Sequence, residues 1–229
     1  MAIDRRRHYI LVVDTETANT PRVGNKLMID SGLVYDVGWC VMDTRGNVYE
    51  EKSFINFDVF YKMADIMQSA YYKNKISHYW QDIIDRKHEI GDTYSIRTAM
   101  LADMKKYNIN EVVAHNAHFD ITVLNATQRY MTKSKYRYWF PYGTEIWDSL
   151  KMAKSVILKM PSYRTFCETH DLLSKDGRLP ATAEVLYKFI INDPTFKESH
   201  TGLEDVRIER EIIAYCYKQK KAMKKVLYS

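Results

Sequence analysis

A chain of 229 residues, 46% of them apolar, can bury a sizeable core, which excludes disordered and fibrous classes. A net charge of +5 tolerates a polyanionic partner without demanding one. The three cysteines, Cys40, Cys167 and Cys216, lie far apart with no C-x-x-C and read as core residues rather than a disulfide framework, and no apolar stretch approaches the ~20 residues of a transmembrane helix, so a soluble, cytoplasmic protein is expected.

Tyr9-Ile10-Leu11-Val12-Val13 is a short, β-branched apolar run that reads as a buried strand. Residues 31–42 read as a second strand, 43–47 as a turn, and 48–55 as a third, giving an antiparallel meander. Residues 57–107 show helical spacing, with Ile66, Met67, Ala70 and Tyr71, then Ile76, Tyr79, Trp80 and Ile83, and with Asp92 or Thr93 as a cap. Glu111 to Ala114 is a fourth strand, followed by a helix from about Phe119 to Tyr130. Glu145-Ile146-Trp147 is a fifth strand, and Asp148 or Ser149 caps the next helix. Further helices are expected over 162–169, 181–191 and 202–221. This is an α/β arrangement on one mixed five-stranded sheet whose first three strands are antiparallel. With no repeat and no Gly/Ser/Pro linker, residues 1–229 read as one domain, with 57–108 as a helical insertion.

Three short segments carry the chemistry. In Asp14-Thr15-Glu16-Thr17, strand residues two apart point to one face, so Asp14 and Glu16 leave the end of the first strand as neighbouring carboxylates. Their mutual repulsion is relieved by a divalent cation, and oxygen ligands suit Mg²⁺ or Mn²⁺. Alone, this tetrapeptide is more often an ordinary strand end. In His115-Asn116-Ala117-His118-Phe119-Asp120, Asn116 reads as a helix N-cap, with Phe119 in the core and Asp120 in the first turn. The two histidines lack the further ligands of a zinc site. In His200-Thr201-Gly202-Leu203-Glu204-Asp205, Thr201 and Glu204 have capping-box spacing, which sets Asp205 in a helix's first turn and His200 on the incoming loop. Four acids and a histidine at strand ends and helix starts match a two-metal phosphodiester hydrolase. A histidine, which titrates near neutrality, can take the proton from water.

These residues resemble the DEDDh 3′→5′ exonucleases of the ribonuclease H-like superfamily, the group of the proofreading epsilon subunit and RNase T. The D-x-E motif matches Asp14 and Glu16; H-N-x-x-F-D matches His115, Asn116, Phe119 and Asp120; and the last motif matches His200 with Asp205. Trp147-Asp148-Ser149-Leu150 and the stretch from Arg178 to Phe189 carry lesser similarity. The resemblance implies a ribonuclease H-like fold and two divalent cations, Mg²⁺ or Mn²⁺. Asp14 would bridge both, Glu16 and Asp205 would complete the first metal's shell, and Asp120 would reach the second metal directly or through water. His200 would be the general base. Thr15, Thr17, Asn116 and Phe119 would bind substrate. The expected activity is removal of nucleoside 5′-monophosphates from the 3′ end of single-stranded DNA or frayed ends.

Two features depart from the family pattern. The second strand carries Tyr35-Asp36-Val37-Gly38 where a Glu is usual, which reads as harmless. The connection between the first two motifs is long and aromatic (Tyr61, Tyr71, Tyr72, Tyr79, Trp80). Helix packing is the ordinary role for such rings; a lid that stacks bases is the functional alternative. The C-terminal lysines, Lys218, Lys220, Lys221, Lys224 and Lys225, read as a solvated helix end, with phosphate contact as the alternative. RNA in place of DNA, as for RNase T and oligoribonuclease, remains open, as does a catalytically inactive nucleic-acid-binding module. The chain reads either as a stand-alone enzyme or as one that docks to a polymerase or replication partner through its folded surface.

Overall fold

The computed structural model describes residues 3–20, 22–24, 26–70, 73–198 and 200–228. Tyr71 and Tyr72 of the lid expectation lie outside these. The elements in chain order begin with strand β1 (Tyr9–Ala18), a small ribbon of β2 (Arg22–Val23) and β3 (Lys26–Leu27), then β4 (Leu33–Asp43) and β5 (Val48–Asn56). The intervening segment holds α1 (Phe57–Phe60), α2 (Ile76–Ile84), β6 (Glu89–Gly91) and α3 (Thr93–Tyr107). The second half runs β7 (Glu111–Ala114), α4 (His118–Thr132), β8 (Glu145–Asp148), α5 (Ser149–Val156), α6 (Pro161–Thr169), α7 (Ala183–Ile191) and α8 (Gly202–Lys218).

The main sheet has the order β6-β5-β4-β1-β7-β8. The expected meander forms: β1 and β4 are antiparallel, as are β4 and β5, while β7 lies parallel to β1 and β8 parallel to β7. The sheet has six strands rather than the expected five. Glu89–Gly91, inside the segment read as helical, pairs parallel with Phe54–Asn56. Ile90 there is exposed, so the strand carries no buried alternation that a periodicity reading could find; backbone pairing to a free edge makes it.

β1 is apolar without alternation because both its faces are covered. Leu11 and Val13 pack with Met100, Met104, Ile121 and Leu124 of α3 and α4. Ile10 and Val12 pack on the other face with Met152, Leu186, Ile208 and Ile212 of α5, α7 and α8. A third cluster seats the insertion: Phe60, Met67 and Tyr79 lie against Ala18, Tyr35 and Ile55. Cys40, Cys167 and Cys216 are buried free thiols, as expected. Among the described residues no helix is long and apolar enough to cross a membrane.

Candidate active site

The alternation of β1 continues into its polar end and splits the site between the two faces of the sheet. Asp14 and Glu16 share the parity of Ile10 and Val12 and turn toward α8. Thr15 shares that of Val13 and turns toward α4. Oxygens of Asp14, Glu16 and Asp205 lie within 4.8 Å of one another. On the other side, the Thr15 hydroxyl donates to Asp120 Oδ1 at 2.8 Å. Parallel pairing of β7 with β1 explains how Asp120 arrives: α4 starts four residues after β7 ends, at the same sheet edge. Asp205 also groups with Glu198 and His200; the imidazole Nδ1 is 3.9 Å from Asp205 Oδ2 and 3.7 Å from Glu198 Oε2.

The carboxylates repel one another. Burial pushes the Asp14 carboxyl well above its usual range, and the charges of Asp120, Asp205, Glu209 and Glu16 push it further. Burial lifts Asp120 to about 7, against the lowering effect of the Thr15 hydroxyl. A group of oxygens that resists ionisation until a positive charge arrives is a fit donor set for a hard divalent cation.

The loops before both helices carry left-handed residues, Asn116 at φ 65° and His200 at φ 56°. Two expectations about capping are corrected here. Asn116 is not the N-cap of α4; Ala117 holds that position without a side-chain bond, and the Asn116 backbone N–H donates to Asp148 Oδ1 at 3.0 Å. Asn tolerates the left-handed region, which suits it to this turn rather than to the extended backbone of a cap. The Thr201/Glu204 capping box is also absent, since Thr201 makes no side-chain capping bond. Its task falls to Asp36, whose Oδ2 accepts from the Gly202 N–H at 2.9 Å and from the Tyr79 hydroxyl at 2.8 Å.

Asp36 therefore has a role where a harmless departure was expected. It pins the mouth of α8, which carries His200 and Asp205, and ties it to the insertion. The backbones meet there: a Cβ on Gly38 would come within 2.3 Å of Gly202 C, and one on Gly202 within 2.7 Å of Gly38 N. Only glycine permits that approach.

Of the other expected residues, Thr15 and Thr17 are buried at the strand end, Asn116 is exposed at the rim, and Phe119 is half-buried against the α3/α4 cluster. His115 and His118 do not form a pair. His115 is held by Ser149 Oγ at 2.8 Å and the Ala181 carbonyl at 2.9 Å, while His118 is exposed. Two carboxylates escaped the sequence reading. Glu209, one turn beyond Asp205, is buried and accepts the His115 N–H at 3.0 Å; its other oxygen has no hydrogen-bond partner among the described residues. Burial, then the Asp120 charge, raises it well above the usual range. Its four-residue spacing from Asp205 was the available signal. Glu198, beside His200, offered none.

No family model matches the chain, and no curated protein matches it by sequence. Solved structures do. The nuclease domain of 3′hExo, described as a DEDDh family member bound to rAMP, superposes with a TM-score of 0.60 at 11% identity, over 96% of this chain and 98% of that one. The chain shares the fold of that nuclease domain. A 3′-exonuclease recognising a histone mRNA stem-loop gives 0.61 at 10% identity, over 98% of this chain and 69% of that one. E. coli Exonuclease I with a dT13 oligonucleotide gives 0.54 at 15% identity, over 94% of this chain and 41% of that one.

Proposed function

We propose that the chain is a metal-dependent 3′→5′ exonuclease acting on single-stranded DNA, with Asp14, Glu16, Asp120, His200 and Asp205 as its site and residues 1–229 as one domain. The observation that carries this reading is the convergence of Asp14, Glu16 and Asp205 within 4.8 Å on a DEDDh fold. Asp14, Glu16, Asp120 and Asp205 are the residues that would hold two divalent cations, Mg²⁺ or Mn²⁺. When bound, these supply charge neutralisation at the phosphate and lower the pKa of water.

The remaining work belongs to the chain. His200 takes a proton from the attacking water, with Asp205 and Glu198 flanking its Nδ1 side. A new P–O bond forms, the P–O3′ bond to the penultimate nucleotide breaks, and the terminal nucleoside 5′-monophosphate leaves. Thr15 holds Asp120 in place from the opposite face. Asn116, Phe119 and Thr17 line the route to the terminal nucleotide. The second reading keeps this chemistry on RNA, and the neighbours named for histone mRNA and rAMP favour it.

The test is hydrolysis of 5′-labelled single-stranded DNA and matching RNA with Mg²⁺, Mn²⁺ or EDTA, beside Asp14→Ala. A ladder shortening from the 3′ end, metal-dependent and lost in the variant, is expected, and the faster polymer decides DNA against RNA. A folded protein that cleaves neither but binds both would be a binding module instead.

A further inference from the structure

α4 leads away from the site, and the chain beyond it is unusual. From Ile121 to Thr144 there is no acidic residue, while Arg129, Lys133, Lys135 and Arg137 supply four positive charges. Tyrosines alternate with them. Tyr136 is 77% and Tyr138 57% exposed, and Tyr130 and Tyr142 are also exposed. Three of the cations sit over these rings: Arg129 is 4.9 Å from the Tyr138 centroid, Lys133 4.6 Å from Tyr130 and Lys135 5.1 Å from Tyr136.

The segment is anchored from beneath. Trp139 is buried; its backbone N–H donates to Asn125 Oδ1 at 2.8 Å, and its carbonyl accepts from Arg97 Nε at 2.6 Å. The rings are thus displayed on a fixed base. A cleft of about 490 Å³, lined by Asp30, Thr122, Asn125, Arg129, Lys133 and Lys135, runs along α4. Asp30, its one carboxylate, lies in the turn beside Ser31, whose carbonyl accepts from Asn19 Nδ2 just past the end of β1. The cleft therefore has one wall beside the chain that leaves the end of β1.

We propose that this face, from Arg129 to Tyr142, is a second contact for single-stranded nucleic acid, gripping phosphates and stacking bases upstream of the 3′ end. It rests on the exonuclease reading for its direction. At 1.5 Å per helical residue, Lys133 lies about 20 Å from Asp120, which a stacked strand at roughly 3.4 Å per nucleotide spans in about six nucleotides. Cations with no carboxylate neighbours in sequence suit phosphates, and exposed rings suit base faces irrespective of sequence.

The test is binding of a fluorescein-labelled 20-nucleotide strand, DNA or RNA, in EDTA across a salt series, so that hydrolysis plays no part. Lys133→Ala/Lys135→Ala/Arg137→Ala should weaken binding about ten-fold and flatten the log–log salt slope by about 2. Tyr136→Ala/Tyr138→Ala should weaken it about ten-fold with the slope kept. A four-nucleotide strand, too short to reach, should be cleaved equally by wild type and both variants. The control Arg5→Ala/Arg6→Ala/Lys105→Ala removes equal charge at the opposite end of the sheet and should change little. Unchanged affinity and slope in the lysine/arginine and tyrosine variants, or equal losses in the control, would overturn the proposal. Failure of the exonuclease reading shows separately, as no hydrolysis of either strand by wild type with metal.

Discussion

Asp43 lies at one end of the β1–β4 antiparallel pair, opposite Tyr9, and Asp14 lies toward the other, opposite Gly38, and their environments drive them in opposite directions. Burial raises Asp43 too, but the Asn47 amide, the Arg7 guanidinium at 2.6 Å and the Tyr49 hydroxyl outweigh it and hold the carboxyl at about 2. Asp14 meets burial and further carboxylates, and its carboxyl is driven up. One end of the pair spends its acid on tying the N-terminal segment to a turn. The other accumulates negative charge. Fold stability alone would favour the first arrangement in both places, and the second fits the cation site proposed above.

The largest effect expected from breaking this contrast is at Asp14. Asp14→Asn should reduce hydrolysis by ~10³-fold or more, because the central charge of the donor set is gone. It should also raise the melting temperature of the metal-free protein, since a repelled, buried charge is removed. A lower metal-free melting temperature would mean that Asp14 is a structural acid like Asp43.

Metal should sharpen the contrast next. Mn²⁺ or Mg²⁺ at ~100 times its dissociation constant should stabilise the wild type by about 2.7 kcal/mol, and the Asp14→Asn variant far less. Without metal, the raised carboxyl of Asp120 makes stability fall as pH rises from about 4 through about 7, because the unfolded state ionises first. Bound metal should remove that slope. Denaturant melts at several pH values check both.

Asp43→Asn should destabilise by about 2 kcal/mol at pH 7. The folded carboxyl lies below its unfolded value, so this contribution is complete above about pH 4 and is lost as pH falls toward about 2. The gap between variant and wild type should close over that window. A constant gap would assign the loss to packing rather than charge.

Asp36 is the intermediate case, raised by burial despite two donors. Tyr79→Phe removes one of them and should cost about 1 kcal/mol. If Asp36 braces the mouth of α8, the same change should lower kcat modestly and leave the affinity for a 20-nucleotide strand unaltered. An unchanged kcat would confine Asp36 to stability.

Much of this could be read in the chain itself. The run from Tyr9 to Val13, the meander through Asn56 and the helices after Glu111 announce themselves by local pattern, because burial imposes periodicity on the residues that undergo it. Asp14, Glu16, Asp120, His200 and Asp205 were visible as short motifs at element ends. Three things were not. β6 exists through backbone pairing to an edge, which leaves no side-chain signal. The mouths of α4 and α8 look capped in sequence, yet Asn116 turns into the left-handed region and Asp36, 166 positions away, receives the Gly202 N–H. Glu209 and Glu198 look like surface acids until α8 is laid across β1. The sequence by itself pointed to the five candidate site residues and, β6 apart, to the main strands and helices, since both signals depend on neighbours along the chain. The tertiary structure alone decided which carboxylates would face one another and which would find a cation, since repulsion and burial depend on neighbours in space.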